Sequence, residues 1–598
     1  MSKVNIVIDG VAVKVPKDAT ILEAARLANI KIPTLCYLKE INKIGACRVC
    51  MVQVGDNPWN LSAACVAGVW DGMQVHTGTE RAVKARKTTL ELLLSTHSND
   101  CLSCVRSKNC ELQTFAAEYQ TEEDKYAGAK LVFEKDATQW LVRDNNKCIT
   151  CRKCVAACKE RQAVNVIGAN ERGFATLIGS AFDKPLAEIP CIACGQCIVV
   201  CPTGALTEKC DIEPVVAALN DPTKYVVIAP APSIRVALGE EFGMRVGENV
   251  EGRMVEALRR LGANAVYDIN WAADLTIMEE GHEFIGRLQK HKEGKPVKFP
   301  MITSCSPGWI KFIEMYYPEH LEHLSTCKSP QGMFGAIMKS YYAQQNKINL
   351  KDLVVVTVMP CTAKKFEAAR KELTTKDGYP EVDYVLTTRE LARLIKSRGI
   401  DFPKLKGDVK KEGKFDQPFG ESSTAGLIFG ATGGVMEAAL RTVVEKITGK
   451  PVKPLEVKDV RGPKKGIKEA KYRIPELASK FGIDELKVAV VHGTQNAKTI
   501  MEKIKKGEAD YHLVEIMACP GGCVTGGGQP IHTAEYMNNH DLRDQRAKAI
   551  YATDKKGKVR ESHKNKSVEQ LYKDFLGEPS GKKAYELLHT KFQKRTKH

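Results

Sequence analysis

Eight cysteines fall in two runs of the same spacing: Cys148, Cys151, Cys154 and Cys158, then Cys191, Cys194, Cys197 and Cys201, the second closed by Pro202. Each run reads C-x2-C-x2-C-x3-C. Four thiolates at this spacing wrap an iron–sulfur cube, and in a doubled run the fourth cysteine of each serves the other cluster. Cys148, Cys151, Cys154 and Cys201 are therefore expected to hold one 4Fe–4S cluster, and Cys191, Cys194, Cys197 and Cys158 a second. The two runs must fold against each other for this ligation to close.

Most of the remaining cysteines, of 21 in a chain of 598 residues, are bunched as well. Short spacings mean metal ligation rather than a disulfide framework. Residues 3–15 alternate around Asp9-Gly10, a hairpin with a type I′ turn, and Thr20-Ile-Leu-Glu23 is a capping box that opens a helix to about Asn29. Cys36, Cys47, Cys50 and Cys65 follow, around the loop Gly45-Ala-Cys-Arg-Val-Cys50. Four thiolates on a glycine-bearing loop suit a 2Fe–2S cluster in a ferredoxin-like β-grasp over 1–79, with zinc as the competing reading. The spacing differs from that of plant-type ferredoxins and is similar to the N-terminal domain of complex-I-type electron-input subunits.

A helical run at 80–95 leads to His97, Cys101, Cys104 and Cys110. Within 80–120 these offer one imidazole and three thiolates for another 4Fe–4S cluster. A neutral donor in place of an anionic one raises the potential. The same set also suits zinc. Residues 138–212 carry the doubled run, the pattern of bacterial two-cluster ferredoxins. The expected total is one 2Fe–2S and three 4Fe–4S clusters, arranged as a wire from the N-terminus toward residue 220.

From Tyr225 the composition changes to alternating strands and helices: strands at 225–230, 264–270, 300–305, 353–361, 382–388 and 488–494, a helix at 276–290, and a strand–helix turn within 425–441. This describes an α/β domain over 222–535 with its site outside the carboxyl ends of the strands. Three such ends carry cysteine: Cys305, Cys361 and the pair Cys519 and Cys523. The last pair is followed by glycines at 526–528, which let the main chain approach a bulky inorganic group. From that stretch alone a zinc knuckle or a disulfide is the alternative. Gly430-Ala-Thr-Gly-Gly434 fits neither dinucleotide nor P-loop spacing and reads as a plain turn. Residues 403–424 read as a surface excursion, and 536–598 as a helical C-terminal appendage.

No stretch of about 18 apolar residues occurs, so no membrane-spanning helix is expected. The start, MSKVNIVIDG, has no signal pattern, and a cytoplasmic location is expected. The net charge of +17 lies on lysine-rich helices and a basic tail, Lys582 to His598. No nucleic-acid motif accompanies it, and acidic protein partners account for it equally well.

Thr303-Ser-Cys-Ser-Pro-Gly-Trp309, Met359-Pro-Cys-Thr-Ala-Lys-Lys-Phe-Glu367 and Glu515-Ile-Met-Ala-Cys519 through Pro530 resemble the three signature segments of iron-only (FeFe) hydrogenases. The resemblance spans essentially the whole chain, input clusters included. It implies the reaction 2 H⁺ + 2 e⁻ ⇌ H₂ at an H-cluster, a 4Fe–4S cube joined through cysteine to a two-iron unit with CO, cyanide and an azadithiolate. It further implies that Cys361 and Cys519 ligate the cube, that Cys523 bridges to the two-iron unit, and that Lys364 hydrogen-bonds one cyanide. Pro232 and Ser233 match contacts to the second cyanide; Met359 and Met517 match methionines of the pocket. Glu280 and Glu283, three apart and on one helical face, match a proton relay with Ser325 between them and Arg287 near the exit.

One segment departs from the family. The usual Cys-Cys pair is Cys305-Ser306 here. The ungapped match makes Cys305 the proton-relay thiol and puts Ser306 at the cube's fourth ligand position. A backbone shift at Pro307 would exchange the two roles. The N-terminal end is similar to the catalytic subunits of NAD(P)-linked, electron-bifurcating hydrogenases. No dinucleotide fingerprint occurs, so flavin and NAD(P) sites would lie on partner subunits, with ferredoxin as a further partner. A stand-alone ferredoxin-dependent hydrogenase is the alternative. A hydrogen sensor or a cluster-assembly relative is the non-enzymatic one.

Overall fold

A computed structural model describes residues 2–126, 128–408, 410–450, 460–462 and 465–596. At the N-terminus, Lys3–Ile8 pairs antiparallel with Val11–Pro16 through Asp9 and Gly10, both at positive φ, the turn that this dipeptide favours. The full sheet runs Val11–Pro16, Lys3–Ile8, Gln74–His76, Met51–Val54, Leu61–Ala63. The helix Ile21–Leu27 starts on the expected capping box and buries Ile21, Leu22, Ala24 and Ala25 against Ile6, Ile8 and Val52. The helix Glu80–Thr96 then leads to the His97 segment.

In the doubled-run module two short helices, Lys153–Ala156 and Gln196–Val199, start after left-handed residues at equivalent places, Arg152 and Gly195. A hairpin, Ile167–Asn170 with Leu177–Ser180, fills the gap between the runs.

The remaining chain is built on two four-stranded sheets. The first runs Ala265–Val266, Tyr225–Pro230, Leu353–Met359, Tyr384–Thr387 and is wholly parallel. The second runs Met301–Ile302, Leu513–Met517, Leu486–His492, Ile467–Tyr472; its last pair is antiparallel. Leu353–Met359 and Leu513–Met517 are buried along their whole length, as covered parallel strands require. Pro232, Cys305, Cys361 and Cys519 follow the carboxyl ends of four different strands.

Four local expectations are corrected. Within 264–270 only Ala265–Val266 is strand, because Asp268 caps a helix, Ile269–Lys292, that begins earlier than expected. The apolar run at 425–429 is helical, Thr424–Ile428, not strand: Ser423 caps it, and Gly426 packs so tightly on the Asn270 carbonyl that a Cβ would lie 2.2 Å from it. A short apolar run does not by itself separate these states. The 403–424 excursion is anchored rather than superficial, since Phe415 and Phe419 are buried in the main core. The C-terminal helices are likewise built into the domain. Val568, Leu571, Tyr572, Leu576, Ala584 and Leu588 belong to the main core.

Candidate active site and cluster chain

The four cysteines of the N-terminal sheet domain converge. The Cys47 and Cys65 thiols lie near enough to act on Cys36, and the Cys65 thiol on Cys50. All four are buried in one place, and no disulfide joins them. His97 is buried, its Nδ1 held by the Asn99 side-chain oxygen at 3.3 Å, while Nε2 has no partner among the described residues. Burial lowers its pKa, which keeps the ring neutral. Cys104 is a charge neighbour of both Cys101 and Cys110. An orphaned imidazole nitrogen on a segment that carries three free thiols suits the larger span of a cluster.

The doubled-run cysteines line one apolar cavity together. Burial raises the thiol pKa values of Cys148, Cys151, Cys154, Cys158, Cys194 and Cys197, and the neighbours that add to it pair crosswise: Cys201 acts on Cys148, Cys151 and Cys154, and Cys191 acts on Cys158 and Cys197. The fourth cysteine of each run thus faces the other run. The residues present fit two cubes with crossed ligation.

A second apolar cavity lies at the carboxyl ends of both large sheets. Pro232, Cys305, Ser306, Met359, Cys361, Lys364, Met517, Cys519 and Cys523 all line it. Ser233 sits just behind; its Oγ donates to the Cys523 carbonyl at 3.4 Å and accepts from the Gln529 side-chain amide at 3.2 Å. Burial pushes the Cys523 thiol up to about 12 and the Cys361 and Cys519 thiols up as well. Thiols so hard to ionise in isolation are held as thiolates only by a cation, and iron supplies one.

The glycines place the cysteine loop. Gly522 takes φ +91, and a Cβ there would lie 2.6 Å from the Thr432 amide. A Cβ on Gly526 would meet the Pro360 carbonyl at 2.2 Å, and one on Gly527 the Cys194 carbonyl at 2.4 Å. The loop is therefore clamped between the Cys361 strand end and the doubled-run module. Thr362 Oγ1 donates to the Ala193 carbonyl at 2.7 Å, and the Gln196 side-chain amide to the Thr525 carbonyl at 2.9 Å. Cys194 lines both cavities.

Lys364 Nζ donates to Ser329 Oγ at 2.7 Å, to Glu367 at 2.8 Å and, more loosely, to the Cys305 carbonyl at 3.4 Å. Glu367 also accepts from Ser329 and Gln331. An ammonium so held is a fixed positive charge on the cavity wall. The Cys305 thiol is buried, and Glu280 and Cys523 are its charge neighbours. Ser306 Oγ accepts from the Ala518 amide at 3.2 Å, on the side of Cys519.

Behind Cys305 the helix Ile269–Lys292 carries Glu280 and Glu283. Burial, then the charge of Glu283, pushes the Glu280 carboxyl up to about 8, and neither of its oxygens has a hydrogen-bond partner among the described residues. Ser325 Oγ donates to Glu283 at 2.9 Å, and Arg287 Nη2 donates to its other oxygen at 2.8 Å near the surface.

Sequence reasoning passed over Glu515. It is fully buried, accepts from the Gly433 and Met436 amides at 2.7 Å each, and is raised to about 7 by burial. It thereby occupies the start of the helix Gly434–Thr448, where a phosphate would otherwise have been considered. A carboxylate within a strand of buried apolar residues was the available signal. Gln331, Glu367 and Gln529, which hold Lys364 and Ser233, carried no signal of their own.

Residues 224–527 match the family model for the iron only hydrogenase large subunit, C-terminal domain, and residues 540–595 match that for the iron hydrogenase small subunit. Residues 1–80 match a 2Fe-2S iron-sulfur cluster binding domain, 86–125 the NADH-ubiquinone oxidoreductase-G iron-sulfur binding region, and 147–205 a 4Fe-4S dicluster domain. The chain is 46% identical to an NADP-reducing hydrogenase subunit, HndD, of Solidesulfovibrio fructosivorans over the full length of both. It is 39% identical to iron hydrogenase 1 of Clostridium pasteurianum, over 99% of this chain and all of that protein. Among solved structures, a FeFe hydrogenase of Chlamydomonas reinhardtii, HydA1, is 41% identical with a TM-score of 0.56, covering 65% of this chain and all of that one. Iron–sulfur binding domains feeding a hydrogenase domain account for the two adjoining cavities. The chain belongs to the iron-only hydrogenases, enzymes that interconvert protons, electrons and H₂.

Proposed function

We propose that this hydrogenase carries one 2Fe–2S and three 4Fe–4S clusters in addition to the H-cluster, and works as the catalytic subunit of an NAD(P)- and ferredoxin-linked complex in the cytoplasm. The observation that carries the reading is the doubly shared Cys194, which joins the input clusters to the catalytic cavity. Cys36, Cys47, Cys50 and Cys65 hold the 2Fe–2S cluster. His97, Cys101, Cys104 and Cys110 hold the first cube, and the crossed sets of the doubled run hold the other two. Domains are taken as 1–79, 80–120, 138–212, 222–535 and 536–598.

In the catalytic cavity Cys361, Cys519 and Cys523 would hold the H-cluster, which would supply the redox chemistry of H₂. Lys364 and Ser233, with the Pro232 backbone, would offer hydrogen bonds to its cyanides. Met359 and Met517 keep water out. Cys305 delivers and removes protons at its Sγ. Glu280 is neutral at and below neutral pH, so it can pass a proton toward Cys305 and be refilled from Glu283 through Ser325 Oγ. Arg287 holds Glu283 at the surface end. The contact of Ser306 with the Ala518 amide supports its placement at the cube's fourth position.

The full-length similarity to an NADP-reducing hydrogenase subunit favours partner subunits that hold flavin and NAD(P). The full-length similarity to iron hydrogenase 1 favours a stand-alone enzyme coupled to ferredoxin. No helix among the described residues is long and apolar enough to cross a membrane. Purification of the tagged chain from its native host separates the two readings. Co-purified flavoprotein and H₂-dependent NAD(P) reduction support the complex; a lone chain that exchanges electrons only with ferredoxin contradicts it.

A further inference from the structure

The C-terminal segment brings a histidine to the proton-path helix. Thr590 N–H donates to the Thr326 carbonyl, and Lys328 N–H to the Leu588 carbonyl, both at 2.8 Å, so Cys327 and His589 form an antiparallel bridge. The pairing holds Cys327 Sγ 4.0 Å from His589 Nδ1 and 3.9 Å from a Glu283 oxygen. One donor atom from each residue lies within 4.8 Å of the others. Tetrahedral zinc, with bonds of about 2.0–2.3 Å, needs ligand atoms at close to these separations.

The surroundings preset the ligands. His589 Nε2 donates to Glu279 at 3.0 Å. Glu279 also accepts from the Ser580 amide at 2.8 Å and from the Tyr572 hydroxyl, so its carboxyl is set as the acceptor facing Nε2. That fixes the tautomer with Nδ1 unprotonated and facing Cys327, the carboxylate–histidine arrangement that orients metal-binding imidazoles. Nδ1 meets the Thr326 hydroxyl at 2.7 Å and, more loosely, Cys327 Sγ at 4.0 Å. Arg287 grips one oxygen of Glu283; the other faces Cys327 and also accepts from Ser325 Oγ and the Thr326 amide at 2.9 Å each and from the Thr326 hydroxyl at 3.2 Å, contacts that a bound ion would replace. With a divalent cation bound, the charges of Glu279, Glu283, the Cys327 thiolate and Arg287 cancel it, which a buried site requires. Neither Cys327 nor His589 has a place in the H-cluster or the cluster chain.

We propose that Glu283, Cys327 and His589 form a binding site for a single zinc-type divalent cation, with water as the fourth ligand, and that the bound ion stops proton exit. The cation arrives at half-buried Glu283, the Cys327 thiol releases its proton to solvent, and three protein–metal bonds form with no change of oxidation state. The inhibitory half rests on the place of Glu283 in the proton path proposed above. The binding half does not.

The test uses the cluster-loaded enzyme treated with zinc chloride and freed of unbound metal by gel filtration. X-ray absorption at the zinc edge is expected to show one sulfur at about 2.3 Å with nitrogen and oxygen at about 2.0–2.1 Å. One zinc per chain should be lost in both Cys327→Ser and His589→Gln. H₂ evolution by the wild type should fall at least tenfold with zinc, while Cys327→Ser keeps its zinc-free rate. No bound zinc, equal zinc in wild type and both variants, or a sulfur-dominated shell taken from a cluster site would overturn the proposal. The absorption spectrum of the wild type decides the binding half even if a variant misfolds. Zinc bound as described without slower turnover would leave the site standing and remove Glu283 from the proton path.

Discussion

Cys194 and Cys519 face each other across the wall between the doubled-run module and the catalytic cavity, near enough that the charge of Cys519 raises the Cys194 thiol. On the assignment proposed above, one belongs to a ligand set of the last input cube and the other to that of the H-cluster. Gly527 packs against the doubled-run module so closely that a Cβ on it would lie 2.4 Å from the Cys194 carbonyl.

Cys361→Ser and Cys519→Ser are each expected to abolish H₂ turnover and spare the four input clusters. Those clusters lie on other ligand sets. Iron content and low-temperature electron paramagnetic resonance check this; near-native turnover in either variant would remove that residue from the active site.

His97→Ala should erase one 4Fe–4S signal and slow electron exchange with external carriers, while isotope exchange between H₂ and water largely survives. That exchange needs the cavity and proton path more than the wire. Unchanged iron content in the variant would show that the orphaned Nε2 is not a ligand.

Glu280→Gln is expected to lower turnover by about 100-fold or more, the scale of a lost proton-transfer group. It also has a pH signature. The folded carboxyl is raised to about 8, above its ordinary 4.5, so the folded state holds a proton that the unfolded chain releases. Its contribution to stability is full below about 4.5 and is lost as pH rises through about 8. The melting temperature of Glu280→Gln relative to wild type should therefore climb across that window. A pH-independent difference would show that Glu280 is not a buried acid.

Legibility in the sequence followed the chemistry. Cysteine spacing and glycine punctuation marked the segments that the structure brings together around its two cavities, the doubled run in one and Cys361, Cys519 and Cys523 in the other; the separate roles in the second came from the resemblance. The Asp9-Gly10 turn and the Thr20 capping box were local signals and needed no tertiary context. The run at 425–429 was misread because its helix is set by packing on Asn270, which no periodicity of five residues can report. Glu515 and the Cys327–His589 pair were hidden for a related reason: their roles arise from residues far away in the chain.

Cys305→Ala is expected to stop turnover while the cube still assembles, since Ser306, not Cys305, turns toward the Ala518 amide beside Cys519. Metal analysis and the cube's resonance signal check it. Loss of the cube would instead assign Cys305 as its ligand and Ser306 as the proton relay.

The most direct test is infrared absorption of the matured protein in the region where iron-bound CO and cyanide absorb. The cavity around Cys523 and Lys364 predicts those bands, with the cyanide bands shifted in Lys364→Ala. Fully matured protein without CO and cyanide bands, yet active on H₂, would contradict the H-cluster assignment.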